Sequence, residues 1–210
     1  MDVELLYVTP PSLVIEAIRT CWKSQEKSDT PPNSFEVGEN DQSLVKKIIS
    51  KGHTSTLEHS LITFGIQNMS RACLQEVSRH RVGVSPSVES TRYTFKRLIK
   101  SMDEADEDEI DDFLIQTSDE DLNKLNKDHI LKLKKLSQEK DLPNDILKYG
   151  LVESWPVTEV LSFNIRSLRH FINLRGSKQA LTEIRNLADE FRTLLYEFHL
   201  EFTELFFGDL

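Results

Sequence analysis

Arg79-His80-Arg81-Val82-Gly83-Val84-Ser85-Pro86-Ser87-Val88-Glu89-Ser90-Thr91-Arg92-Tyr93 sets three cationic or cationisable side chains in succession, directly after a helix-like run from Arg71 to Val77. A loop of Gly, Ser and Pro follows, and Ser90, Arg92 and Tyr93 then read as the entry to a strand. A helix end, small residues with accessible backbone N–H groups and several arginines make an anion site. The guanidinium fork matches phosphate or carboxylate, and His80 adds a donor or a flat ring surface. Arg-His-Arg alone would be explained as well by charge compensation at a helix C-terminus. A second stretch repeats the theme, however: Asn164-Ile165-Arg166-Ser167-Leu168-Arg169-His170-Phe171-Ile172-Asn173-Leu174-Arg175. Two Arg/His/Asn-rich segments in a chain of net charge −9 argue against two merely solvated faces.

In these residues the chain resembles the flavin-dependent thymidylate synthases. Arg79-His80-Arg81 followed by Ser90 and Arg92 is similar to that family's signature, with eight residues between Arg81 and Ser90 where the family pattern has seven. Asn164, Arg166-Ser167-Leu168 and Leu174-Arg175, followed by Ala180 and Glu183-Ile184-Arg185, resemble a second family segment. Gly52-His53-Thr54-Ser55-Thr56-Leu57-Glu58-His59 resembles a third. The three matches stand in order and span roughly residues 50–95 and 160–186.

The resemblance implies reductive methylation of dUMP to thymidylate, with methylenetetrahydrofolate as carbon donor, FAD as hydride carrier and NADPH as its reductant. It implies Arg175 as the catalytic cation, since a fixed positive charge on the N3/O2/O4 edge of uracil makes C5 more nucleophilic. Flavin contacts carried over by position are Ser55, Arg79, His80, Arg81, Val88, Asn164, Ile165, Arg166 and His170, with His53, Glu58 and His59 shaping the same pocket. Nucleotide contacts are Glu76, Val77, Ser78, Arg79, Val88, Glu89, Ser90, Thr91, Arg92, Lys148 and Arg175, with Glu76 to Ser78 reaching in from a neighbouring subunit of a homotetramer with shared active sites. Glu76 stands where the family often has Gln, and a carboxylate there repels phosphate. Lys148 stands where it usually has Arg, keeping the charge but losing the fork.

The rest of the composition is compatible with this. The chain has 210 residues, enough for one domain with a sizeable core or one subunit of an oligomer. The acidic balance argues against broad nucleic-acid binding but not against a local cationic pocket. Cys21 and Cys73 are too few and too far apart for a disulfide scaffold or a zinc ribbon. Cys21 reads as a core residue, and Cys73, mid-helix between Ala72 and Leu74, as an inert small hydrophobe rather than a nucleophile. His53, Glu58 and His59 lack the His-Glu-x-x-His spacing, so no metal is expected. With no signal pattern and no bilayer-length apolar run, a cytoplasmic protein without a membrane segment is the expectation.

Taken in order, residues 2–9 read as a strand and residues from Pro11 or Ser12 to about Ser24 as a helix, with Leu13, Ile15, Ile18 and Cys21 mostly inward. Residues 27–40 read as a loop, Ser43–Lys51 as a short helix closed by Gly52, and His53–His59 as a loop. Ser60–Met69 alternates as a strand and Ser70–Arg79 follows as a helix; Arg92–Ile99 starts as a strand. Residues 103–112 form an acidic run expected to be solvated surface, and Thr117 or Ser118 caps a helix to about Lys140. Pro143 starts a turn or helix ending near Gly150. Val157–Phe163 fits a strand or a short helix, Asn164–Leu174 a helix ended by Gly176, and Ser177–Phe206 one long apolar-striped run. No Gly-x-Gly-x-x-Gly occurs, which leaves a Rossmann fold unsupported. The expected fold is α+β: a single domain over 1–210, with a central, mostly antiparallel sheet flanked by helices, a long C-terminal helix, and a peripheral acidic helical insertion at about 101–145. Two other readings stay open, a catalytically inactive flavin- or nucleotide-binding relative and a non-enzymatic helical interaction module.

Overall fold

The computed structural model describes residues 1–102 and 107–210, and the side chains outside 103–109. The solvated-surface reading of the acidic run therefore falls, over most of its length, outside the described residues. The chain is of the α+β class, with a four-stranded antiparallel sheet in the order β1 (Asp2–Val8), β2 (Ile62–Ser70), β4 (Pro156–Phe163), β3 (Val84–Val88). The helices are α1 (Ser12–Cys21), α2 (Glu39–Ser50), α3 (Arg71–Val77), α4 (Thr91–Ser101), α5 (Glu120–Lys140), α6 (Asn144–Leu147), α7 (Ile165–Arg175), α8 (Thr182–Phe198) and α9 (Leu200–Phe207). Two compact units emerge: unit 1 holds residues 1–2, 66–77 and 87–159, and unit 2 holds 3–65, 78–86 and 160–210.

Strand alternation decides the register. Ile62, Phe64 and Ile66 of β2 and Val157, Leu161 and Phe163 of β4 are buried, as a period of two requires. Pro156 opens β4, whose clean alternation resolves the choice between strand and helix. In unit 2, Phe64 stacks on Phe191 of α8 with centroids 4.0 Å apart, and Phe163, Phe171 and Phe191 complete an aromatic cluster. Unit 1 is built around Phe95, Ile99 and Met102 of the α4 end, Leu114, Ile130, Leu133, Leu147 and Trp155. The residues within 101–145 thus supply Met102, Leu114, Ile130 and Leu133 to that core, the last two from α5.

Several local expectations change. The stretch from Arg92 to Ile99 is helix α4, not strand: Thr91, Phe95 and Ile99 recur every four residues and all are buried. The strand lies earlier, at Val84–Val88, where Pro86 is tolerated because β3 is at the sheet edge. Leu13 and Cys21 of α1 are exposed; Val14 takes an inward place beside Ile15 and Ile18. The long C-terminal run is two helices, divided at His199, which leaves helical geometry and accepts from Phe202 N–H through Nδ1 at 3.2 Å. Helix α5 is capped by Asp119, whose carboxylate accepts from Leu122 N–H at 2.8 Å, rather than by Thr117 or Ser118.

The 27–40 loop is tied down by a buried acid. Asp41 accepts from Arg19 Nε (2.8 Å), Ser28 Oγ (2.7 Å) and the N–H groups of Asp29 and Thr30. Burial pushes its carboxyl up, but the hydrogen bonds of Ser28, Thr30 and Arg19 outweigh burial and hold it below the usual range.

Candidate functional site

In unit 2 the Arg-His-Arg segment runs into a turn fastened to the start of α7. Asn164 caps α7, its Oδ1 accepting from Ser167 N–H at 2.8 Å. The Asn164 N–H donates to the Gly83 carbonyl at 3.0 Å, and Ser167 Oγ donates to the Val82 carbonyl at 2.7 Å. Gly83 has φ +66°, and a Cβ there would come within 2.2 Å of Asn164 Nδ2 and 2.4 Å of Ser167 Oγ. Only glycine lets the turn lie this close to the helix start. Gly83→Ala is therefore expected to cost about 2 kcal/mol, lowering Tm by roughly 5 °C. Thermal melting checks this, and an unchanged melt would mean that the turn repacks without loss.

The same clamp brings the two arginine-bearing segments together. Arg175, ending α7, donates from Nε to His80 Nε2 at 2.8 Å. The His80 ring lies 4.8 Å from Phe171 and 5.9 Å from His170 between centroids. Arg79, Arg81, Arg166 and His170 are exposed; Arg166 pairs with Glu58, and Arg175 is half-buried. Ile165 is buried, with its N–H donated to Ser60 Oγ at 2.9 Å, while Ser55 is exposed on the 3-10 turn Thr54–His59. Ser78 is exposed as well.

The remaining predicted residues lie in unit 1. Glu76 and Val77 are on α3, the Val77 side chain buried in the core, so that only its backbone is available for contact. Val88 ends β3, and Glu89 N–H donates to the Thr158 carbonyl at 2.8 Å. Ser90 precedes α4, and Thr91 is buried. Arg92 meets Asp145 through both arms of its fork, Nε to Oδ1 at 2.6 Å and Nη2 to Oδ2 at 3.0 Å. The hydrogen bond from Arg92 lowers the Asp145 carboxyl below the usual carboxylate range, and the Lys148 charge lowers it further. Asp145 raises Arg92 in return. The motifs single out Arg92 and Lys148 but not Asp145. The two members of this ion pair are 53 residues apart, and a contact that distant leaves no local signal in the sequence.

A second group outside the predicted set is Glu159, on the inward row of β4. It is 1% exposed, and neither carboxyl oxygen meets a hydrogen-bond partner among the described residues. Burial pushes its carboxyl up to about 7. Its signal is legible as a carboxylate standing in the apolar row Val157, Leu161, Phe163.

The arrangement in unit 2 is one for holding an anionic, planar ligand beside a fixed guanidinium. The chain matches the family described as thymidylate synthase complementing protein over residues 4–199. It is 44% identical to the flavin-dependent thymidylate synthase of Campylobacter jejuni over 192 residues, covering 90% of this chain and 89% of that protein. It is 40% identical to that of Wolinella succinogenes over 207 residues, 95% of each chain. The crystal structure of thymidylate synthase X from Helicobacter pylori with FAD and dUMP superposes with a TM-score of 0.84 at 34% identity, covering 99% of this chain and 98% of the other. The chain belongs to the flavin-dependent thymidylate synthase family. Among the described residues no helix is long and apolar enough to cross a membrane.

Proposed function

We propose that this chain converts dUMP to dTMP with FAD as cofactor, methylenetetrahydrofolate as one-carbon donor and NADPH as reductant. The observation that carries this reading is the bond between Arg175 and His80, which joins the two family-like segments in one site of unit 2. The Helicobacter pylori structure, with its FAD and dUMP, supports it.

The residues present fit a flavin. The tight Gly83 turn at the α7 start, with exposed Arg79 and Arg81, offers cations and a helix N-terminus to a pyrophosphate. Ser55, Arg79, His80, Arg81, Asn164, Ile165, Arg166 and His170 would hold the cofactor. When bound, FAD supplies the reducing equivalents. Arg175 stabilises negative charge on the uracil edge, raising the nucleophilicity of C5. Glu89, Ser90, Arg92 and Lys148 are the nucleotide-binding candidates of unit 1, where the Asp145 carboxylate already orients the Arg92 fork.

The reading extends to a homotetramer in the cytoplasm. Tyr93 and Tyr149 of unit 1 are 77% and 88% exposed, apolar surface that a neighbouring subunit would cover, and both cysteines are free thiols. The test is release of tritium to water from dUMP tritiated at C5, since methylation must displace that hydrogen. Release that requires FAD, methylenetetrahydrofolate and NADPH together is expected; release independent of FAD would contradict the reading.

A further inference from the structure

The family resemblance makes His80 a flavin contact, but its geometry gives it a second task. Its Nε2 accepts from Arg175 Nε at 2.8 Å, so that nitrogen carries no proton and the ring proton sits on Nδ1. Nε2 is thereby committed as an acceptor toward Arg175. The ring leans on Phe171, which is fully buried and held in turn by Phe163 and Phe191. Phe171 and Arg175 lie four residues apart on α7, on one face, so a single helix presents both the ring that supports His80 and the donor that His80 accepts.

We propose that His80 is a positioning residue for Arg175: its Nε2 accepts from Nε and fixes the plane of the guanidinium against the aromatic support of Phe171. Arginine has a long, rotatable stem, and a bond at Nε sets the direction of the whole fork. A cation that must meet a developing charge gains from being fixed beforehand, because a displacement of about 1 Å costs roughly 100-fold in rate. The inference rests on the reading of Arg175 as the catalytic cation.

The test compares His80→Phe, which keeps a flat ring but removes the acceptor, with His80→Gln, which keeps an acceptor. His80→Phe, assayed at saturating FAD because His80 is also a flavin contact, is expected to lower kcat roughly 100-fold while KM for dUMP and Tm stay close to the parent. His80→Gln is expected to recover at least about tenfold of that loss. Arg175→Lys, which lacks the Nε–H donor, combined with His80→Phe should cost little more than Arg175→Lys alone. Parental kcat in His80→Phe at saturating FAD, equal losses in the Phe and Gln variants, or a loss that disappears as FAD is raised to saturation would each overturn the positioning role. Parental turnover in Arg175→Ala would instead overturn the reading beneath it.

Discussion

Arg175→Ala is expected to lower kcat for dTMP formation by roughly 100- to 1,000-fold, with FAD content and Tm near the parent. Methylation needs electron density at C5 of uracil, and the charge that accompanies it builds on the N3/O2/O4 edge. The Arg175 guanidinium, half-buried and bonded through Nε to His80, would meet that charge without reorganising. The effect belongs on kcat rather than on KM, because the interaction strengthens as charge develops. Steady-state kinetics at saturating dUMP checks it, and parental turnover would remove Arg175 from the role.

The second large effect concerns stability. The Glu159 carboxyl, raised to about 7 from an ordinary 4.5, favours the folded state when protonated. That contribution is present in full below the unfolded value, is lost as pH rises toward the folded one, and changes no further above it. Across this window about 3 kcal/mol is at stake. Glu159→Gln is expected to remove this part of the pH dependence, leaving the variant close to the parent at about pH 4 and more stable than it at about pH 8. Urea denaturation of both proteins across that range decides it; parallel curves would show that the carboxyl finds a partner or water on ionising.

The segments that meet in the candidate site are legible in the sequence because their signals are local. The Arg-His-Arg segment after α3, the Asn164 cap and the α7 stripe each show within a few residues. The strand before α4 escapes a sequence reading because Pro86 and the serines look like loop, and only an edge position in the sheet accommodates them. Arg92 stands out by its motif, but its partner Asp145 depends on tertiary packing. The division at His199 is hidden by an apolar stripe that continues through both helices. Cys21 looks inward by residue type, whereas its place at the last turn of α1 leaves it in solvent.

The most direct measurement is to incubate the purified protein anaerobically with dUMP, NADPH and methylenetetrahydrofolate carrying a carbon-13 methylene group, with FAD and after its removal. The account predicts thymidylate labelled in its methyl group, formed only when FAD is present. Folded, FAD-loaded protein that returns dUMP unchanged would contradict it.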